Sequence, residues 1–130
     1  INAFQVVHQE QYPQTREESE YIGQDVYFQR ILDYITQNLY SPLSVDEICK
    51  EFSLSRSTLQ AMFKENMRQS PKQYISKLKL EESKRLIHKH QYTISEISDR
   101  LGFTSIHYFS RKFKMEYGLS PSEYAKSIQP

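Results

Sequence analysis

Residues 93–124 contain the patterns from which the fold of this chain is predicted: TISEISDRLGFTSIHYFSRKFKMEYGLSPSEY. Thr93 and Glu96 have the spacing of a capping box, in which two side chains satisfy the free N–H groups at a helix start. Gly102 ends that helix, because glycine accepts the positive φ of a helix terminus. A second helix follows, with an aromatic side chain every four residues on one predicted buried stripe: Phe109, Phe113 and Tyr117.

The opposite side of this second helix is polar and basic. It carries His107, Ser110, Arg111 and Lys114. Two short helices at a glycine turn, with a polar outer face on the second, predict a helix-turn-helix.

An earlier segment, residues 44–74, repeats this pattern. The run from Ser44 to Ile48 matches the run from Thr93 to Ile97 at an offset of 49. After one extra residue in the later turn, further matches follow at an offset of 50: Leu59, Phe63, Lys64, Ser70-Pro71 and Tyr74. Two copies are too few for a solenoid, so we predict a tandem pair.

The two units together resemble a known family. Over residues 26–130 the chain resembles the DNA-binding domain of AraC/XylS transcription regulators. The resemblance depends on three motifs of the second unit: Gly-Phe, then Tyr-Phe-Ser-Arg-x-Phe-Lys, then Gly-Leu-Ser-Pro-x-x-Tyr. The resemblance implies an all-α fold of about seven helices, in which a long linker helix joins two helix-turn-helix subdomains. It also implies a bacterial activator in the cytoplasm, associated with the nucleoid when bound, that binds promoter or operator DNA, which it bends. An upstream sensor or dimerisation module and RNA polymerase are the other implied partners.

The first unit departs from the family pattern. Ser53 and Arg68 stand where glycines are usual, and side chains enter the left-handed region only at a cost. We therefore expect the first unit to turn differently or to be less stable. Ala61 replaces a larger contacting residue, which predicts weaker or less specific DNA contact there. Lys79 stands where arginine is common, and an ammonium cannot copy a bidentate fork.

Charge divides the chain into an acidic start and a basic remainder. Residues 1–25 carry one Arg against five acids, net −4, and are interpreted as a linker or the tail of a missing upstream module, with a functionless disordered terminus as the alternative. Residues 26–130 carry 16 Lys and Arg against 11 acids, net +5, which suits an anionic partner. Within them we predict a first unit at 26–69, a linker helix at 70–90 and a second unit at 91–130.

Two further helices follow from apolar periodicity. One is predicted from Val26 to about Leu39, with Val26, Ile31 and Ile35 on its buried face. The other opens at a capping box beginning at Ser70 and extends to about Lys89. On this linker helix we place Lys77, Lys79, Lys84, Arg85 and Lys89 on the outside.

The candidate DNA-binding residues lie mainly on the second helix of each unit. In the first unit they are Arg56, Ser57, Gln60, Ala61 and Lys64. In the second they are His107, Ser110, Arg111, Lys112 and Lys114, and Lys79 is added as a contact to the DNA backbone. Gln60 is suited to adenine, and Arg111 to guanine or a phosphate.

Each of these assignments has a structural alternative. Both outer faces can be ordinary solvated helix surface, and Arg111 can pair with Glu96 or Asp99. Ile106 lies at a position that contacts DNA in some relatives, but its helical phase favours packing. Lys112 and Lys114 are either phosphate contacts or solvated charge.

Other classes of function lack support in the sequence. His88 and His90 point apart on a helix, so we expect no metal site and no cofactor. Cys49 falls in an apolar helix and is interpreted as a small core residue. No nucleophile motif or Gly-rich loop occurs, so we expect no enzyme, and no run of about 20 apolar residues predicts a membrane span. The remaining alternative is a helical interaction module that docks RNA polymerase or another protein rather than DNA.

Overall fold

A computed structural model describes residues 16–129, with side chains from residue 25 onward. This part of the chain contains seven α-helices and no strand, which confirms the predicted all-α class. Packing divides the chain into two compact segments, residues 1–32 and 33–130. The second segment contains both helix-turn-helix units.

Helix α1 spans Arg16–Gln37 and is longer than predicted. It begins ten residues before Val26, within the stretch that we interpreted as a linker without periodicity. Val26 was expected on the buried face but is 50% exposed. The part of the interpreted linker before Arg16 lies outside the described residues.

The first helix-turn-helix unit consists of α2, Val45–Phe52, and α3, Arg56–Met67. Ser44 and Ser55 cap the two helices, and each side chain accepts a hydrogen bond from the backbone N–H three residues further on. Both departures from glycine are left-handed, with φ 53° at Ser53 and 56° at Arg68. The backbone enters the left-handed region at both positions despite the side chains, so the expectation of a different turn is wrong. The alternative, that this unit is less stable, stays a prediction.

Helix α4, Pro71–Lys89, is the predicted linker helix, and its 19 residues correspond to about 28 Å. Its capping box is complete: the Ser70 hydroxyl accepts from the Gln73 N–H, and the Gln73 side chain accepts from the Ser70 N–H. Helix α4 packs against α3 and also against two helices of the second unit. It therefore connects the two units by contacts as well as by the chain.

The second unit consists of α5, Ile94–Arg100, α6, Ile106–Tyr117, and α7, Pro121–Ser127. Its core is a cluster shared with the linker helix: Leu80, Leu86, Ile87, Ile97, Leu101, Phe109 and Phe113. Aromatic rings extend this core, and the Phe113 ring lies 4.7 Å from that of Tyr117 and 5.6 Å from that of Tyr124, centroid to centroid. The predicted aromatic stripe is confirmed, with Tyr117 at its partly buried edge.

Candidate nucleic-acid interface

The outer face of α3 is open to solvent. Leu59 and Phe63 are fully buried and fix which side of the helix packs on the core. All five residues predicted for DNA contact lie away from that core and are exposed: Arg56, Ser57, Gln60, Ala61 and Lys64. They form one continuous polar surface because residues three and four apart are neighbours on a helix.

One member of this surface is already paired. The Nε atom of Arg56 lies 3.3 Å from a carboxylate oxygen of Asp46 on α2. Both side chains are more than half exposed, so the pair adds little to stability. It does orient the Arg56 guanidinium across the turn between α2 and α3.

The outer face of α6 has the equivalent position in the second unit. His107, Arg111 and Lys114 are exposed, whereas Ser110 and Lys112 are half-buried. The Lys112 ammonium lies 5.8 Å from the centroid of the Tyr108 ring, at the outer limit of a cation–π contact.

Arg111 makes no ion pair with Glu96 or Asp99 within the part of the chain that the structure describes. The structural alternative for this residue is therefore not observed. Its guanidinium is available to a partner from outside the chain.

Ile106 corrects an expectation from the sequence. We predicted that it packs against the core, but it is 38% exposed. It is the first residue of α6, directly after the cap Ser105, where the helix has only begun to approach the core. The helical phase placed it on the core side and missed this end effect, so Ile106 joins the exposed surface near His107.

Lys79 is the clearest correction. It was predicted to lie outside and to contact the DNA backbone, yet it is 6% exposed. Its ammonium donates to two backbone carbonyls, that of Leu101 at 2.5 Å and that of Ser41 at 3.3 Å. Burial lowers the pKa of this ammonium, because the charged form loses hydration. An ammonium enclosed in this way does not reach a phosphate, so Lys79 is removed from the candidate contacts.

A groove that sequence reasoning did not anticipate lies between the turn after α3 and helices α4 and α6. It has a volume of about 460 Å³, and its lining includes Arg68, Lys77, Lys112, Met115 and Glu116. Among the described residues these three cations form no ion pair. Met115 is 80% exposed, the most exposed large apolar side chain described. The sequence signal for this groove was Met115, an apolar residue that directly follows Lys114 and lies outside the aromatic stripe of α6.

The described residues show little support for other kinds of site. No group of three or more His, Cys, Asp and Glu side chains within residues 25–129 could hold a metal ion. None of the helices in that same part of the chain combines the length and apolar character that crossing a membrane requires.

Comparison with known proteins agrees with this architecture. The profile of the helix-turn-helix domain family matches residues 48–127. The Msm operon regulatory protein of Streptococcus mutans is 32% identical over 120 residues, which cover 92% of this chain and 43% of the relative. The lactose operon transcription activator of Staphylococcus xylosus is 29% identical over 103 residues, covering 79% and 36%. The chain thus spans less than half the length of these two relatives.

Solved structures share the fold. A transcriptional regulator from Chromobacterium violaceum with an AraC-type DNA-binding domain superposes with a TM-score of 0.72 at 26% identity, covering 84% of this chain and 98% of that one. The DNA-binding domain of AdpA, solved with a target DNA, has a TM-score of 0.72 at 21% identity, covering 75% and 88%.

Fold and surface together define a tandem helix-turn-helix protein with a free polar face on the second helix of each unit. The chain belongs to the family of AraC-type helix-turn-helix DNA-binding domains of bacterial transcription regulators. The predicted family is confirmed.

Proposed function

We propose that this chain binds specific sites in double-stranded DNA by laying α3 and α6 into successive major grooves. The observation that carries the proposal is the pair of equivalent, exposed polar faces on the second helix of each unit. Gln60 on α3 and Arg111 on α6 are the base-reading residues, because an amide suits adenine and a guanidinium suits guanine. Lys64 and Lys114 supply phosphate contacts, which give affinity without sequence choice.

The length of the linker helix supports the use of two adjacent grooves. Successive major grooves on one face of B-DNA lie about 34 Å apart, whereas α4 corresponds to about 28 Å. Taking the length of α4 as the separation of the two recognition helices, we expect a small mismatch with straight DNA, which bending of the duplex toward the protein relieves. Family membership and the target DNA in the AdpA structure add support.

The direct test is selection of bound duplexes from a random pool by the chain itself. We expect two short sequence elements separated by about one helical turn, 10–10.5 base pairs. Binding to the selected duplex should fall steeply as salt rises, since phosphate contacts release counterions. Enrichment of a single element, or of none, would overturn the two-groove arrangement.

A protein partner is the second candidate, and one observation favours it. Met115 is 80% exposed beside a cationic groove, and methionine is common on adaptable binding surfaces. We propose that this surface docks an acidic segment of RNA polymerase when the chain, as an activator in the cytoplasm, is bound to a promoter. An upstream sensor or dimerisation module would supply the signal.

The two roles separate experimentally. Met115→Glu should abolish activated transcription in vitro with purified polymerase. Met115→Ala should reduce activation and leave affinity for the selected duplex unchanged, because alanine adds no charge one helical turn from Arg111. The exposed Glu65 on α3 offers a matched control, Glu65→Met, which should leave both readouts unchanged. Full activation by the Met115→Glu protein would remove this surface from the proposal.

A further inference from the structure

The junction between the two helix-turn-helix units is centred on one buried charge. Lys79 lies midway along α4, and its ammonium donates to Ser41, before the first unit, and to Leu101, at the end of α5 in the second. Three parts of the chain that are distant in sequence therefore meet at one nitrogen atom.

Gly102 completes this junction. Its φ is +70°, and a Cβ atom built there would lie 3.3 Å from the Lys79 Nζ and 3.3 Å from the Ser41 carbonyl oxygen. The backbone of the second unit thus approaches the loop at Ser41 and Pro42 as closely as a residue without a side chain allows. Gly118, with φ +84°, has no atom within 4 Å of the same built position.

An ammonium holds this junction differently from an apolar side chain. A buried charge is tolerated only where hydrogen-bond acceptors surround it, so its partners cannot drift apart without leaving the charge unsatisfied. The Leu101 carbonyl follows the last turn of α5, where the helix dipole places partial negative charge. Packing of apolar groups has no such directional requirement.

We propose that Lys79 is a positioning residue that fixes the orientation of the second helix-turn-helix unit relative to the first. In doing so it sets the spacing between the two DNA elements that the chain accepts. The orientation claim stands on the geometry alone, and the spacing claim rests on the proposed DNA-binding function. Lys79 acts through the backbone it holds and touches no DNA.

The orientation claim is tested without DNA by measuring the distance between spin labels on the two recognition helices. Cys49 is the only cysteine, so Cys49→Ala provides a background for labels at the exposed positions Glu65→Cys and Met115→Cys. Pulsed electron resonance should give one narrow distance distribution. Lys79→Met should broaden or shift it, whereas Lys72→Met, at an exposed position on the same helix, should not.

A second perturbation reaches the junction from the other side. Gly102→Ala inserts a methyl group against the Lys79 Nζ and should broaden the same distribution. Gly118→Ala imposes similar backbone strain, but its methyl group has no other atom within 4 Å. It should therefore leave the distance distribution narrow. A distance distribution with unchanged mean and width in both Lys79→Met and Gly102→Ala would overturn the proposal, and it would do so even if either variant were less stable.

The spacing claim is tested with the duplex selected by the unmodified chain and with versions in which the two elements are moved apart or together by one base pair. The unmodified protein should prefer the selected spacing. In Lys79→Met that preference should fall by about tenfold, the order expected for loss of one charged hydrogen bond. A purely structural role predicts an equal loss at every spacing, and that result would contradict the claim. Failure of the unmodified chain to select two elements would instead count against the proposed function.

Discussion

The two helix-turn-helix units reach the same backbone turns with different residues. In the second unit glycines adopt the positive φ, at Gly102 and Gly118; in the first, Ser53 and Arg68 adopt it. The caps that follow α3 and α6 are equivalent even in their hydrogen bonds: the Arg68 N–H donates to Lys64 O at 3.0 Å, and the Gly118 N–H to Lys114 O at 2.8 Å.

The helix caps and the buried stripes therefore specify the turns in both units. Glycine only lowers the free-energy cost of the left-handed conformation at each turn. A side chain in the left-handed region costs about 1–2 kcal/mol. At position 102 the cost is joined by a close approach, because Lys79 and Ser41 occupy the space beside the backbone. Glycine is therefore favoured at position 102 by a close contact as well as by conformation, and at position 118 by conformation alone.

The outer faces of the two units differ as well. Arg111 in the second unit corresponds to Ala61 in the first, at the offset of 50 residues. If DNA is read by these faces, the second unit has the stronger contact, and the first relies on Gln60.

The largest effect should come from making these faces alike. Arg111→Ala gives the second unit the residue of the first, and it should cost about 1–3 kcal/mol of affinity for the selected duplex. The loss should be confined to the DNA element read by α6. Titration against duplexes with each element scrambled in turn measures this, with Lys89→Ala as a control on the linker helix. Equal loss at both elements would show that Arg111 contacts phosphate rather than a base.

A smaller effect should follow from exchanging the cap residues. Gly118→Arg places a side chain at positive φ in open space and should cost about 1–2 kcal/mol in the free energy of unfolding. Arg68→Gly relieves the same strain in the first unit and should gain about 1 kcal/mol or less, since glycine also gives the unfolded chain more freedom. Urea unfolding followed by circular dichroism checks both. A stabilised Gly118→Arg protein would mean that the two turns are not equivalent.

The two units also differ in a small buried residue at equivalent positions. Ser98 is 1% exposed, and its hydroxyl has no hydrogen-bond partner in the described part of the chain, whereas Cys49 is its counterpart in the first unit. Ser98→Ala should stabilise the protein by about 1 kcal/mol, because it removes an unsatisfied polar group. Cys49→Ala should destabilise it slightly, through loss of a packed sulfur atom. Thermal unfolding of both variants gives the signs, and destabilisation by Ser98→Ala would indicate a buried water on the hydroxyl.

Lowering the pH should destabilise the second unit before the first. This is the smallest of the expected effects on stability. The backbone N–H of Ser120 donates to the Glu123 carboxylate and lowers its pKa, as the N–H of Thr93 does for Glu96. Because the folded pKa is depressed, this stabilisation is present above the ordinary carboxyl pKa and is lost as pH falls through the depressed value. The equivalent box at Ser70 uses Gln73, which does not titrate.

Hydrogen exchange of amides in each unit, measured across this acidic range, checks the expectation. Protection in α7 should fall before protection at the start of α4. Glu123→Gln should remove part of the pH dependence and leave neutral stability nearly unchanged. Simultaneous loss of protection at both boxes would contradict a separate acid response of the second unit.

The sequence predicted those features of the fold that depend on local patterns. Capping boxes predicted the starts of α4 and α5, and the linker helix ends at Lys89 as predicted. Aromatic spacing identified the buried side of α6, and therefore its free side as well. These signals lie within a few residues of the feature they specify, so the feature can be predicted without the tertiary structure.

The errors arose where distant parts of the chain decide the environment. Lys79 looked like a solvated charge because its acceptors are 38 and 22 residues away in sequence. Ile106 was assigned by helical phase, which does not register that a helix end projects past the core. The groove at Met115 is formed by α4, α6 and the turn after α3, so no single stretch of sequence predicts it.

The burial of Lys79 also has a consequence for the order of events during synthesis. The Ser41 carbonyl precedes Lys79 along the chain, but the Leu101 carbonyl emerges from the ribosome after it. While α4 is being made, its central ammonium must stay hydrated, and desolvation has to wait for translation to pass the second acceptor. The first unit can thus fold as it is produced, but its alignment with the second becomes fixed only after Leu101 has left the ribosome.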